Sequence, residues 1–300
     1  MSTRLALVDM GTNTLKYSIV DLQDDGSFSE VDSFADTVRL GAGIATSGRI
    51  DPERAERALG SLRIYQMRAE ALGATVFLAV ATSALRRASN GGDLLTSIAD
   101  ETKWDVKVIS GDLEARLTWA GLRHMFPPEG DFVLVDIGGG SSEAIAIHDR
   151  ELVASESNDI GSGVLADEAF SAYPPGAEVD RARKIARDFL AASPVLAGVN
   201  EPGLVLSGGN GMFLAALANW DEVDIPFTPG RLPDLMHRIA SLEPDAIAGY
   251  LGIAPERARM IPAGGAIAAA VADLTNPRGL YAVPSGIRNG MVQAWRDGEW

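Results

Sequence analysis

FVLVDIGGGSSEAIAIHD (residues 132–149) reads as an apolar strand, a glycine-rich polar turn and a second apolar strand. LALVDMGTNTLKYSIVD (residues 5–21) repeats that layout, with Gly11-Thr12-Asn13-Thr14 as the turn. The two aspartates that close the first strands, Asp9 and Asp136, lie 127 positions apart. The echo predicts a duplicated architecture with one polar-tipped hairpin in each of two domains.

Working outward, strands and helices alternate. Asp51-Pro52 supplies an N-cap followed by proline at the first helical position, and Ala58, Leu62, Tyr65, Ala69 and Leu72 recur at helical spacing until Gly73 stops the run. Residues 75–81 and 106–110 read as strands, with helices between them and again from 112 to about 125. GLVLSGGNG (203–211) and ARMIPAGGA (258–266) each read as a strand entering a glycine turn and then a helix. This alternation predicts an α/β fold. Pro127-Pro128-Glu129-Gly130 is the expected linker, dividing the chain into domains 1–126 and 127–300, with the last helix free to pack back on the first domain.

Composition narrows the function. The 300 residues are 46% hydrophobic and 22% charged, enough apolar content for two cores rather than a disordered polyanion. With 41 acidic against 26 basic residues the formal net charge is −15, which argues against a DNA-coating surface. There is no cysteine, so disulfides, thiolate catalysis and zinc thiolate sites are excluded. His124, His148 and His237 are too scattered to suggest a zinc site. The N-terminal sequence has no signal-peptide pattern and no run of about 18 apolar residues occurs, so a cytoplasmic protein without a membrane partner is expected.

The glycine turns carry the chemistry. Without a Cβ, a backbone can approach a phosphate closely and aim successive N–H groups at it. Gly138-Gly139-Gly140-Ser141 is the strongest such turn, with Asp136 before it and Glu143 beside it on the next strand. Two facing turns of this kind, each preceded by an aspartate, would hold a hydrated Mg²⁺ between carboxylates and phosphate oxygens. The competitors fail on residues. None of Lys16, Lys103, Lys107 and Lys184 follows a glycine, so there is no Walker A loop, and no serine stands in Gly-x-Ser-x-Gly. Gly161-Ser162-Gly163-Val164-Leu165-Ala166 matches a dinucleotide fingerprint only superficially, because no βαβ start surrounds it.

These turns resemble the superfamily of actin, sugar kinases and heat-shock ATPases, and the chain is most similar within it to the Ppx/GppA phosphatases. That family comprises exopolyphosphatases and guanosine pentaphosphate phosphatases. The resemblance rests on VDMGTNTLKYSIVD (8–21), VRLGAGI (38–44), AVATSALRRASN (79–90), VISGDLEARLTWAGL (108–122), LVDIGGGSSE (134–143) and ESNDIGSG (156–163). It continues through Ser207-Gly208-Gly209, ARMIPAGG and SGIRNG (285–290), in that order.

The resemblance implies an α/β fold of two ribonuclease H-like domains with an interdomain active-site cleft. It implies Glu114 as the general base that activates water, Asp136 and Glu143 as metal- and water-positioning carboxylates, and Asp9 as the metal-binding carboxylate of the opposing turn. Phosphate is expected on the turns Gly11, Thr12, Asn13, Thr14 and Gly138, Gly139, Gly140, Ser141, with Ser207, Gly208 and Gly209 as further substrate contacts. A polyanion meeting so acidic a protein needs local cations. Lys16, Arg39 and Arg86 are the expected ones, with Arg288 a lesser candidate.

The sequence departs from the family pattern in places. The first turn is Gly-Thr-Asn-Thr where serines are common, Lys16 replaces the usual Arg or His, Leu113 stands where a second glutamate is common, and Asn289 stands where Glu is frequent. The expected activity is Mg²⁺-dependent hydrolysis of a terminal phosphoanhydride of inorganic polyphosphate, with pppGpp as the alternative substrate. Longer family members append a helical HD-type domain; this sequence looks like the short form, for which short polyphosphate is the expected preference. A homodimer is the family's tendency. A kinase of the same fold or a non-catalytic nucleotide sensor are the rival readings.

Overall fold

The structure, a computed structural model, describes residues 3–220, 226–284 and 286–300. Ser285, the first residue of the SGIRNG motif, lies outside the described residues. The chain divides into two compact units, Met1–Gly121 with Ile287–Trp300, and Leu122–Gly286.

The first unit is built on a five-stranded sheet. Its strands are β1 (Thr3–Met10), β2 (Thr14–Leu22), β3 (Phe28–Thr37), β4 (Val76–Ala81) and β5 (Asp105–Val108), in the order β3-β2-β1-β4-β5. β1, β2 and β3 form an antiparallel meander, while β4 and β5 run parallel to β1. Strand alternation sorts β1 onto two cores. Ala6, Val8 and Met10 pack with Leu62 and Tyr65 of the helix Pro52–Ala71. Leu5 and Leu7 face the other way, with Leu117, Ile287 and Met291. Burial on both faces explains why the strand is a nearly unbroken apolar run. Asp9 follows the odd-numbered set, and so stands on the face covered by the helices Gly111–Leu122 and Ile287–Arg296.

The helix Pro52–Ala71 starts and stops where the sequence says. The Asp51 carboxylate accepts from the N–H groups of Glu53 and Arg54, Pro52 occupies the first turn, and Gly73 takes a left-handed φ of 82° just beyond the end.

The second unit repeats the topology. Its strands are β6 (Asp131–Ile137), β7 (Ser142–His148), β8 (Glu151–Asn158), β9 (Gly203–Ser207) and β10 (Gly279–Val283), ordered β10-β9-β6-β7-β8. Again the first three are antiparallel and the last two parallel to the first. Val133, Val135 and Ile137 face the main core of this unit, made by helices such as Glu178–Leu190 and Ile261–Thr275. Asp136, by alternation, faces the opposite side. Both units therefore have the ribonuclease H-like α/β topology that the resemblance implies, duplicated as the two hairpins predict.

One expectation is corrected. ARMIPAGGA holds no strand: residues 255–258 form a short helix and the helix Ile261–Thr275 follows almost at once. A short apolar run does not distinguish a buried strand from a buried helix, and here Pro262 sits in the first helical turn. Gly264 is buried inside that helix for close packing, since a Cβ there would lie 2.2 Å from Asn210 Oδ1. Three strands, β3, β8 and β10, were not signalled by the sequence; β3 and β8 are edge strands that mix polar with apolar residues and are at most partly buried, and β10 is only five residues long.

Candidate active site

In the first unit, Asp9 and Lys16 are direct cross-strand partners, and Lys16 Nζ lies 3.3 Å from Asp9 Oδ2. Asp9 is buried, so the lysine supplies the counter-charge a buried carboxylate needs. The turn between them is closed by Gly11 N–H donating to Thr14 O at 3.2 Å. A Cβ on residue 11 would lie 2.9 Å from that same oxygen. The segment 39–41 splints the turn from outside: Arg39 N–H donates to Asn13 O at 2.8 Å and Gly41 N–H to Thr12 O at 2.9 Å. Arg39 holds a left-handed φ of 54°, an unusual conformation for a residue with a side chain, and Arg54 Nη1 ties down its carbonyl at 3.3 Å.

Glu114 stands in the first turn of the helix Gly111–Leu122. Arg86, from the short helix Ser83–Arg87, donates through Nη1 both to Glu114 Oε2 at 2.8 Å and to Ile109 O at 2.9 Å. One nitrogen thus locks the carboxylate to the strand end that precedes its helix. The helix itself is pressed against Ile287–Arg296 at Gly290, where a Cβ would lie 2.0 Å from Leu117 O. Arg288 is drawn into the fold, its Nη1 donating to Tyr17 O at 2.8 Å.

In the second unit, Gly138 N–H donates to Ser141 O at 2.9 Å, the same bond at the same place in the hairpin as Gly11 to Thr14. Here the splint is the helix Ser162–Ala169. Gly138 O accepts from Ser162 N–H at 2.8 Å and its hydroxyl at 3.1 Å, while Gly139 O accepts from the N–H groups of Gly163 and Val164. A Cβ at Gly161 would lie 2.5 Å from the Gly139 carbonyl carbon. In the apparent dinucleotide fingerprint at 161–166, Gly161 therefore serves close approach to the triple-glycine turn and Gly163 donates its N–H to it. With the carbonyls tied back, the N–H groups of Gly139 and Gly140 have no acceptor among the described residues.

Beside this turn Asp136 and Glu143 face each other across β6 and β7. Glu143 is only 2% exposed, and Ser157, its partner on β8, donates to Glu143 Oε1 at 2.8 Å. On the other side Asp136 is in register with Ser207 of β9. Ser157, Glu143, Asp136 and Ser207 thus form one polar row across four strands. Gly208, at φ 73°, opens the helix Gly208–Ala218 directly against the row, because a Cβ there would lie 2.9 Å from Asp136 Oδ1. Asn210, in its first turn, donates through Nδ2 to Ile137 O at 2.6 Å.

Sequence reasoning missed Arg257. Its guanidinium lies over the Phe213 ring, 4.6 Å from the centroid, and a Cβ at Gly209 would lie 2.4 Å from Nη2. Burial pushes this guanidinium below its ordinary pKa. Reading 258–266 as a strand hid it, because Arg257 then falls in a loop rather than in a helical turn packed under Gly209.

Comparison with known proteins identifies the family. The family model for the Ppx/GppA phosphatase family matches residues 19–299. The chain belongs to the Ppx/GppA phosphatase family. Curated relatives include exopolyphosphatase 1 of Mycobacterium tuberculosis, 28% identical over 99% of this chain and 89% of that protein, and exopolyphosphatase 1 of Mycobacterium leprae, 29% identical over 99% and 90%. Among solved structures, an exopolyphosphatase from Cytophaga hutchinsonii superposes with a TM-score of 0.87 at 24% identity, covering 99% of this chain and 98% of that one. The Aquifex aeolicus Ppx/GppA family member gives 0.76 at 24%, with full coverage of both chains. This Ppx/GppA protein is accordingly a phosphoanhydride hydrolase. Among the described residues no helix is long and apolar enough to cross a membrane.

The family's reaction raises the question of a divalent cation. Among the described residues no group of three or more His, Asp or Glu is gathered as a cage. The donor set that is present, two carboxylates side by side on adjacent strands, suits Mg²⁺, which binds through one or two carboxylates and keeps several waters for phosphate to share. Asp9, the third carboxylate expected in that role, belongs to the first unit, where its Oδ2 is paired with Lys16.

Proposed function

We propose that this Ppx/GppA protein hydrolyses the terminal phosphoanhydride of inorganic polyphosphate, releasing orthophosphate, with pppGpp as the alternative substrate. The observation that carries the reading is the Asp136–Glu143 carboxylate pair set beside a glycine turn whose Gly138 and Gly139 carbonyls are bonded away, leaving the Gly139 and Gly140 amides to meet phosphate oxygens.

In this reading the terminal phosphate accepts from the amides of the 138–141 turn. The 11–14 turn, with Lys16, Arg39 and Arg86, serves the phosphates of the chain, and the uncapped N-terminus formed by Ser207, Gly208 and Gly209, with Arg257, adds positive potential. Glu114 takes a proton from a water as that water attacks phosphorus. The new P–O bond forms as the bridging P–O bond breaks, and the shortened chain leaves with the electron pair of the bridging oxygen. Asp136 and Glu143 would hold a divalent cation, which when bound offsets charge on the transferred phosphoryl oxygens. No covalent enzyme intermediate is needed.

Orthophosphate release with Mg²⁺, offered short polyphosphate, long polyphosphate, pppGpp and ATP in parallel, tests this proposal. Release from polyphosphate that Glu114→Ala abolishes supports the reading, and a chain-length series reads the expected preference for short polymer. Turnover of pppGpp alone selects the alternative. ATP consumption that requires an added acceptor would instead establish a kinase.

A further inference from the structure

We propose that Ser207 is a positioning residue for Asp136, donating its hydroxyl to that carboxylate in the hydrolytic state. This rests on the role given to Asp136 above. Ser207 is fully buried, and its Oγ has no hydrogen-bond partner among the described residues. A buried hydroxyl left unpaired carries an uncompensated desolvation penalty, which an alanine or valine at the end of GLVLS would not incur.

The duplicated sheet supplies an internal control. In the first unit the residue in register with Asp9 on the neighbouring parallel strand is Val80, and the residue opposite on the hairpin is Lys16. In the second unit the corresponding neighbours of Asp136 are Ser207 and Glu143. Asp9 is balanced by a cation and flanked by a hydrocarbon. Asp136 faces a second carboxylate, an arrangement that cross-strand electrostatics disfavours, and it is flanked by a hydroxyl instead. Ser157 already donates to Glu143, from the outer side of the pair. Ser207 is the matching donor from the inner side, next to the left-handed Gly208 against which Asp136 Oδ1 rests. A hydroxyl at each end of the row would hold the two carboxylates in fixed orientations while the Gly139 and Gly140 amides bind phosphate. Being inside the sheet, Ser207 acts through Asp136 and not on the substrate.

The test measures orthophosphate release and thermal stability of the full chain for wild type, Ser207→Ala and Ser207→Thr. The expected result for Ser207→Ala is a kcat lowered about tenfold or more, a KM within about twofold of wild type, and a Tm no lower than wild type. Ser207→Thr, which keeps the hydroxyl, recovers most of the kcat. Should Ser207→Ala not fold, Ser207→Cys, similar in size with only a weak donor, replaces it with the same expected loss. Wild-type kcat in the variant lacking the hydroxyl, or a kcat loss that comes with a lowered Tm and is not recovered by threonine, would overturn the proposal and leave Ser207 to packing. A wild-type protein that releases orthophosphate from none of the substrates overturns the assigned role of Asp136 and this proposal with it; an active wild type with an indifferent Ser207 overturns this proposal alone.

Discussion

Arg86 Nη1 donates to Glu114 Oε2 at 2.8 Å and, from the same nitrogen, to Ile109 O at 2.9 Å. The carboxylate proposed to activate water is therefore anchored at the start of its helix. Two losses should follow from two substitutions. Glu114→Gln keeps the hydrogen bond to Arg86 and removes the base, so kcat should fall by roughly 10²–10⁴ with little change in Tm. Arg86→Ala leaves the base in place without its anchor and also removes a cation proposed to serve the phosphate chain, so both kcat and KM should suffer. Steady-state kinetics on polyphosphate read both, and a Glu114→Gln variant of undiminished kcat would remove this residue from the mechanism.

The triple-glycine turn owes its position to Gly161. A Cβ there would lie 2.5 Å from the Gly139 backbone, so Gly161→Ala should displace the amides proposed to bind phosphate and cost about 1–3 kcal/mol of stability through overpacking. Gly60, in the middle of the helix Pro52–Ala71 with nothing within 4 Å of its would-be Cβ, is the contrasting case. Gly60→Ala should stabilise by about 0.5–1 kcal/mol by restricting the unfolded chain. Denaturant melts read both signs, and KM for polyphosphate should rise only in Gly161→Ala.

The hairpins, their aspartates and the capped helix after Asp51 were legible because each carries a local signal: an apolar run broken by glycine, or an N-cap followed by proline. The ion pair between Arg86 and Glu114 was not, because residues 28 positions apart are joined only by the way β4 and β5 lie side by side. Nor could spacing alone show that the glycines at 161 and 163 serve the turn at 138–141, since the same pattern fits a dinucleotide loop. The misreading of ARMIPAGGA has a different cause. Gly264 and Gly265 answer to the packing of Asn210 and Leu214, contacts that a linear pattern does not contain.

Acid sensitivity has a surface contribution with a definite sign. The Arg68 guanidinium pairs with Asp32 through two hydrogen bonds, one from Nη2 to Oδ1 at 2.9 Å, and holds the Asp32 carboxyl below its ordinary range against a smaller opposing effect of burial. A carboxyl depressed in the folded state stabilises above its unfolded pKa of about 3.9, and that contribution disappears as pH falls through the lower folded value. Arg68→Gln should thus lower Tm at neutral pH, and its deficit should shrink as pH drops below about 4. Melts across that window check it; a deficit that does not change with pH would mean Arg68 acts through packing of its stem.

Lys16 distinguishes the two hairpins, since the first pairs Asp9 with a cation where the second pairs Asp136 with Glu143. Lys16→Glu should give the first hairpin the carboxylate pair of the second, but without a flanking hydroxyl, because Val80 occupies the place of Ser207. Two facing carboxylates with no such donor should destabilise the first unit, and the local cation for an anionic substrate is lost as well. Lys16→Met separates the two effects: it leaves Asp9 unpaired but adds no charge. If Lys16 contacts phosphate, KM for polyphosphate should rise in both variants and further in Lys16→Glu, with the difference diminishing at high salt as the charges are screened. If it serves only Asp9, the Tm should fall in both while KM stays at the wild-type value.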